Sequence, residues 1–188
     1  MGRWKPDARG RLEQAALELY GERGFEQTTA KEIAERAGLT ERTFFRHFTD
    51  KREVLFPHAN PLRESLLTAL DAAPDTAAPI DAVAAALESA CGLFAERREL
   101  ARQRQAVIAA NTELQERELI KLASLASALA EALRRRGVAE PVASLAGEVG
   151  IAAFKVAFGR WIGEPDQQDL SRLVRETLEG LKAVTAGK

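Results

Sequence analysis

The chain contains one cysteine, Cys91, which excludes an internal disulfide and any multi-cysteine metal site. Only His47 and His58 could add imidazole ligands, so a histidine-rich metal centre is also excluded and neither metal nor cofactor is expected. No uninterrupted apolar run approaches the roughly 20 residues of a membrane span. The stretch Met1-Gly2-Arg3-Trp4-Lys5-Pro6 is polar and lacks the apolar core of a signal peptide, which leaves the cytoplasm as the expected compartment, with no membrane partner. There is no P-loop, no dinucleotide glycine motif and no nucleophile elbow, so no enzymatic activity is expected. An overall basic field is missing too: 27 Lys and Arg meet 28 Asp and Glu, for a formal net charge of -1. Any case for nucleic acid must therefore rest on local charge and motif.

What is present is helical from end to end. Ala and Leu dominate, and β-branched residues never cluster with period two. The 188 residues suffice for one medium domain or for a small domain plus a larger one. Leu12, Ala15, Ala16 and Leu19 share one face of a first helix that stops at Gly24. Thr29 and Glu32 form a capping box for a second helix, whose buried face is Ile33, Ala34 and Ala37 and which ends at Gly38. Thr40 caps a third at once, with Leu39 and Phe44 placed as a hydrophobic staple. Asp50 and Glu53 give a similar start signal for a fourth helix, expected to run from the third towards the second half of the chain. Pro57 and Pro61 interrupt it, because proline lacks an N–H and clashes inside a helix. Apolar periodicity resumes at Leu62, and Ala73 to Pro79 reads as a linker. Five further helices are marked by Ile80–Phe94, Arg97–Asn111, Leu122–Leu133, Pro141–Trp161 and Leu170–Leu181.

The segment Thr29–Lys51 carries the chemistry. Two short helices joined by Gly38-Leu39-Thr40 have the form of a helix-turn-helix, whose second helix can enter a DNA major groove. Phe44 and Phe48, four apart, turn inward, while Arg42 and Arg46 turn outward with Thr43 and Phe45 on the flanks. An exposed arginine can hold guanine O6 and N7 with both arms of its fork. Arg46, His47, Lys51 and Arg52 suit phosphate contacts, which set register rather than sequence. The same spacing also suits two capped helices with a solvated basic face.

Phe25 to Lys51, together with the preceding Tyr20-Gly21-Glu22-Arg23-Gly24-Phe25, resembles the TetR family signature over roughly residues 9 to 56. The resemblance implies an all-α protein with two parts. Residues 1–56 would be a three-helix helix-turn-helix DNA-binding domain with a basic N-terminal arm (Arg3, Lys5, Arg9, Arg11). Residues 57–188 would be a helical effector-binding and dimerisation domain. It further implies a transcriptional regulator, typically a repressor, that binds a double-stranded, palindromic DNA operator as a homodimer and is released by a small-molecule effector. Thr29 matches the threonine that opens the motif's first helix and often touches phosphate, Thr40 the cap of the recognition helix, Glu41, Arg42 and Thr43 its first turn where bases are read, and His47 and Lys51 phosphate-binding positions. Phe45 departs from the family's usual tyrosine. It has no hydroxyl for a phosphate, which leaves an apolar contact with a sugar or a thymine methyl.

The second half carries no comparable signature. Ala146, Gly150, Ala153 and Ala157 form a stripe of small residues. With Leu170, Val174 and Leu181 they are the candidate dimer seam, against the alternative of close packing inside one subunit. Leu66, Leu70, Leu87, Cys91, Phe94, Val107, Leu125 and Phe154 are candidate pocket residues, with Gln103, Gln105, Asn111 and Lys155 as polar groups. Two other functions stay open: a DNA-binding regulator without an effector, and a helical enzyme or adaptor with a chance resemblance.

Overall fold

The computed structural model describes residues 7–56, 60–164 and 168–185. Arg3 and Lys5 of the arm, Pro57, His58 and the turn at Pro165-Asp166 lie outside the described residues. Among the described residues there are no strands. The helices are α1 (Ala8–Arg23), α2 (Ala30–Arg36), α3 (Glu41–His47), α4 (Pro61–Asp71), α5 (Pro79–Cys91), α6 (Arg98–Ala109), α7 (Thr112–Arg135), α8 (Glu140–Gly163) and α9 (Leu170–Thr185), with one 3-10 turn at Gly92–Phe94.

The short helices start where their caps dictate. Thr29 accepts a hydrogen bond from the Glu32 amide at 3.2 Å, and the Glu32 carboxylate accepts one from the Thr29 amide at 2.9 Å, which completes the capping box. Thr40 accepts from the Thr43 amide at 3.2 Å. Between them Gly38 sits at φ 65°, a left-handed conformation that a side chain would strain.

The fourth helix does not begin at Asp50. The cap signal is realised, since Asp50 Oδ1 accepts from the amides of Arg52 and Glu53 at 2.8 and 2.9 Å, but only turns follow, as far as Phe56. Pro57, next in the sequence, has no N–H to extend a helix. Helix α4 starts afresh with Pro61 in its first turn and with Asn60 as cap, its side chain accepting from the Arg63 amide at 3.2 Å.

The chain divides into two compact units. The first comprises Met1–Ala59 and also Glu99–Gln115. Its core is Leu12, Ala16, Leu19, Ile33, Phe44, Phe48 and Leu55, joined by Val107, Ile108 and Leu114. Residues 99–115 are thus built into this unit in addition to the expected 1–56 stretch. They contribute three buried apolar side chains to this core, and Leu100 packs against it partly buried. Polar contacts add to the fit: Arg104 donates to the Leu55 carbonyl at 3.0 Å and lies over the Phe56 ring, Arg52 pairs with Glu113 at 3.0 Å, and Asn111 donates to Glu26 at 3.3 Å.

The second unit comprises Asn60–Arg98 and Glu116–Lys188. Helix α5 packs against α4, α8 and α9. The small residues of α8 face inward: a Cβ at Gly147 would stand 2.5 Å from the Ala126 carbonyl of α7, and one at Gly150 would overlap Val83 of α5. Arg136, near the end of α7, donates to the carbonyls of Leu70, Ala73 and Pro74 and closes the end of α4.

Leu114 is wholly buried in the first unit although it lies far from it in sequence. Leu114→Ala is expected to lower unfolding free energy by about 2–5 kcal/mol, read from denaturant titration, the range for emptying a packed leucine site.

Candidate nucleic-acid interface

The outward surface of α3 is made by what is turned inward. Phe44 and Phe48 are buried, with ring centroids 5.3 Å apart. Arg42 and Arg46 are thereby left exposed, and neither makes a hydrogen bond or ion pair among the described residues. Glu41 is exposed at the start of the helix, where its charge suits the helix dipole. Thr40 and Thr43 share a hydrogen bond between their hydroxyls at 3.0 Å. Phe45 is 52% exposed, an unusual position for a phenyl ring.

Of the expected phosphate-binding side chains, two are otherwise engaged and a third is turned from solvent. The Lys51 ammonium donates to the carbonyls of Phe25, Glu26 and Thr28 at 2.8, 3.2 and 3.1 Å and sits 4.4 Å from the centre of the Phe25 ring. All three of its N–H groups are used, so it binds the loop before α2 in place of a free anion. Arg52 is held by Glu113. His47 is half-buried, and its Nε2 is closed off from solvent without a hydrogen-bond partner among the described residues, so that nitrogen does not face a phosphate. The Thr29 hydroxyl donates to Glu32 at 2.8 Å and is likewise committed. The accessible cations on α3 are Arg42 and Arg46.

The described basic residues of the arm are also tied down. Arg9 pairs with Glu13 at 3.1 Å and lies over Phe48. Arg11 donates to the carbonyls of Ala37 and Gly38, and so holds the turn between the two helices of the motif. Tyr20 reaches the other end of the motif, its hydroxyl donating to the Lys51 carbonyl at 2.7 Å; burial raises its pKa and keeps it a donor. These bracing roles join residues 26 to 31 apart and leave no local sequence signal.

Of the candidate pocket residues, Leu66, Leu70, Leu87, Cys91, Leu125 and Phe154 are buried in the second unit. Phe94 is half-buried with its ring centroid 6.1 Å from that of Phe154. Val107 does not join them, because it is part of the first unit's core. Gln103, Gln105 and Asn111 belong to the first unit as well, and Lys155 is exposed. An open groove between α4 and α5 is lined by Pro61, Glu64, Thr68, Ala72, Ala85 and Ser89 among others, and by none of the eight apolar candidates. Burial pushes the Cys91 thiol up to about 12, so it is a thiol and not a thiolate at neutral pH.

The candidate seam residues are turned the other way from that expectation. Ala146, Gly150, Ala153, Ala157, Leu170 and Val174 are buried within the single chain, and Leu181 is half-buried. The intramolecular alternative describes the α8 stripe, because its small side chains let α5 and α7 approach. The neighbouring side of α8, one residue round the helix from the stripe, carries a second apolar row, Val142, Leu145, Val149, Ala152 and Val156, of which Leu145 is 65% and Val156 55% exposed. Helix α8 is long and apolar enough to cross a membrane by length and composition, a property that the core helix of a soluble protein shares.

With this geometry in place, comparison with known proteins defines the class. Residues 13–56 match the profile of bacterial regulatory proteins of the tetR family, and residues 77–186 match the profile described as the MftR C-terminal domain. The chain belongs to the TetR family. Over 84 residues, 45% of this chain and 37% of the relative, it is 38% identical to the HTH-type transcriptional regulator TcmR of Streptomyces glaucescens. It spans about a third of the length of the curated relatives it matches. Among solved structures it resembles SmeT, the repressor of the Stenotrophomonas maltophilia multidrug efflux pump SmeDEF, with TM-score 0.61 and 21% identity over 95% of this chain and 90% of that one. It also resembles Thermus thermophilus FadR, a repressor in complex with lauroyl-CoA, with TM-score 0.54 and 23% identity over 91% of each chain. At these identities the likeness is one of fold.

Lys51→Met is expected to lower stability by about 1.5–3 kcal/mol, the scale of hydrogen bonds from a charged donor. The salt dependence of DNA binding by the folded variant should stay that of the parent. A flatter slope would return Lys51 to the phosphate contacts.

Proposed function

We propose that this protein is a sequence-specific DNA-binding transcriptional regulator, a repressor that leaves its operator when a small molecule binds the second unit. The observation that carries the reading is the pair of exposed, unpartnered guanidinium groups of Arg42 and Arg46 on a capped helix held by Arg11, Lys51 and the 99–115 segment. Arg42 lies in the first turn of α3 and is assigned to a guanine edge. Arg46, one turn on, is assigned to phosphate. TcmR and SmeT are named as regulator and repressor, and FadR was solved with an acyl-CoA, which supports both the DNA partner and a small-molecule effector with an apolar portion for this chain. The compartment that goes with such a role is the bacterial cytoplasm.

A homodimer would present two such helices to a near-palindrome, its half-sites about 34–36 Å apart or a multiple of that. We assign its seam to the exposed row on α8, because an apolar row of this length on a soluble helix is stabilised when a second copy covers it. Effector binding would reach the first unit through the three places where the chain passes between units, after Ala59, Arg98 and Gln115. A coupling of about 1–3 kcal/mol changes operator affinity roughly 5–150-fold.

Selection from random duplexes should recover an inverted repeat, and Arg42→Ala should cost about 1–3 kcal/mol while relaxing preference at one position of each half-site. A ranking of operator variants that Arg42→Ala leaves unchanged would remove the base-reading role. Titration of the complex with apolar small molecules, and with the amphipathic lauroyl-CoA, separates an effector-gated regulator from a constitutive one. Leu145→Arg should give a folded monomer by light scattering with weak operator binding. Ala153→Arg, placed on the inward stripe, should unfold the second unit.

A further inference from the structure

Phe45 lies on the flank of the outward face of α3 that carries the two exposed guanidinium groups, and its environment is specific. It is the one large apolar side chain among the exposed residues of α3, at 52% exposure. Arg42 stands three positions before it and Arg46 one after. The ring meets Phe44 edge to face, with centroids 5.4 Å apart and planes at 85°. Phe44 is fully buried and packs on Phe48, so the Phe45 ring stands against a fixed support before any duplex arrives. Little ordering cost remains to offset what the ring gains on contact.

We infer that Phe45 reads the C5-methyl of a thymine in the major groove; this rests on the DNA-reading proposal above. A phenyl ring offers no donor to a phosphate and gains nothing beside an anion. On the floor of the groove the base edges present N7, O6 and O4 acceptors and N4 and N6 amino donors. The thymine methyl is the only apolar group there. Covering it removes water from both surfaces. The two guanidinium groups beside Phe45 bring the duplex close enough for that burial.

The test uses the full-length protein and the tightest inverted repeat recovered from a randomised duplex pool. Each symmetry-related pair of thymines is replaced in turn by deoxyuridine, which removes the methyl and leaves pairing intact. One pair should weaken binding by about fourfold per half-site, or about fifteenfold when both are replaced, the scale of one buried carbon in each. Phe45→Ala, with helicity confirmed by circular dichroism, should bind the thymine and uracil duplexes equally. If every uracil substitution is silent with the parent protein, or if Phe45→Ala keeps the same sensitivity, the inference is overturned. If no inverted repeat is recovered at all, it is the DNA-reading proposal that fails first.

Discussion

The geometry of the first unit depends on one ammonium group. Helices of seven residues are marginal in water, since nucleating a helix fixes several dihedral angles for a single hydrogen bond. Helices α2 and α3 therefore have to be held from outside. Lys51 does this at the loop before α2, where its three N–H groups meet three carbonyls that lie outside any helix ladder. Arg11 does the same at the turn after α2, and the Tyr20 hydroxyl fixes the Lys51 backbone itself. The orientation of α3, and with it the direction in which Arg42, Phe45 and Arg46 face, follows from these donors. The cations round the motif thus differ in what they meet. Lys51 and Arg11 satisfy backbone carbonyls, Arg9 and Arg52 pair with carboxylates, and Arg42 and Arg46 on the outer face of α3 are left over.

The sequence makes the local half of this arrangement readable. Glycine at a left-handed position, threonine caps and paired apolar residues four apart each act within a few residues, so the helix-turn-helix stands out with its inward and outward faces. The long-range half is silent. A lysine that ligates carbonyls looks like a lysine that binds phosphate, because the difference lies in where a chain 23 to 26 residues away comes to rest. Val107 illustrates the same limit. Its apolar character shows that it is buried, and only the fold shows in which of two cores.

Helix α8 shows a subtler ambiguity. It is apolar on two sides, with small residues on one and branched residues on the other. Periodicity identifies both rows without ranking them. Small residues permit close approach, and the partner that approaches can be a neighbouring helix or another subunit. Here Ala126 and Val83 occupy that space. The bulkier row, beside it on the helix, is left outside in the single chain.

The insertion of residues 99–115 into the first unit has a consequence for how such proteins can diversify. A DNA-reading module that is one continuous stretch can be exchanged between relatives by a single recombination event. Here Val107, Ile108 and Leu114 complete the same core as Leu12 and Phe44 from a distant part of the gene. A crossover after the helix-turn-helix would join one parent's recognition surface to another parent's packing residues. Inheritance of a packed first unit is then tied to two separated gene segments, and a working chimera requires both to come from the same ancestor.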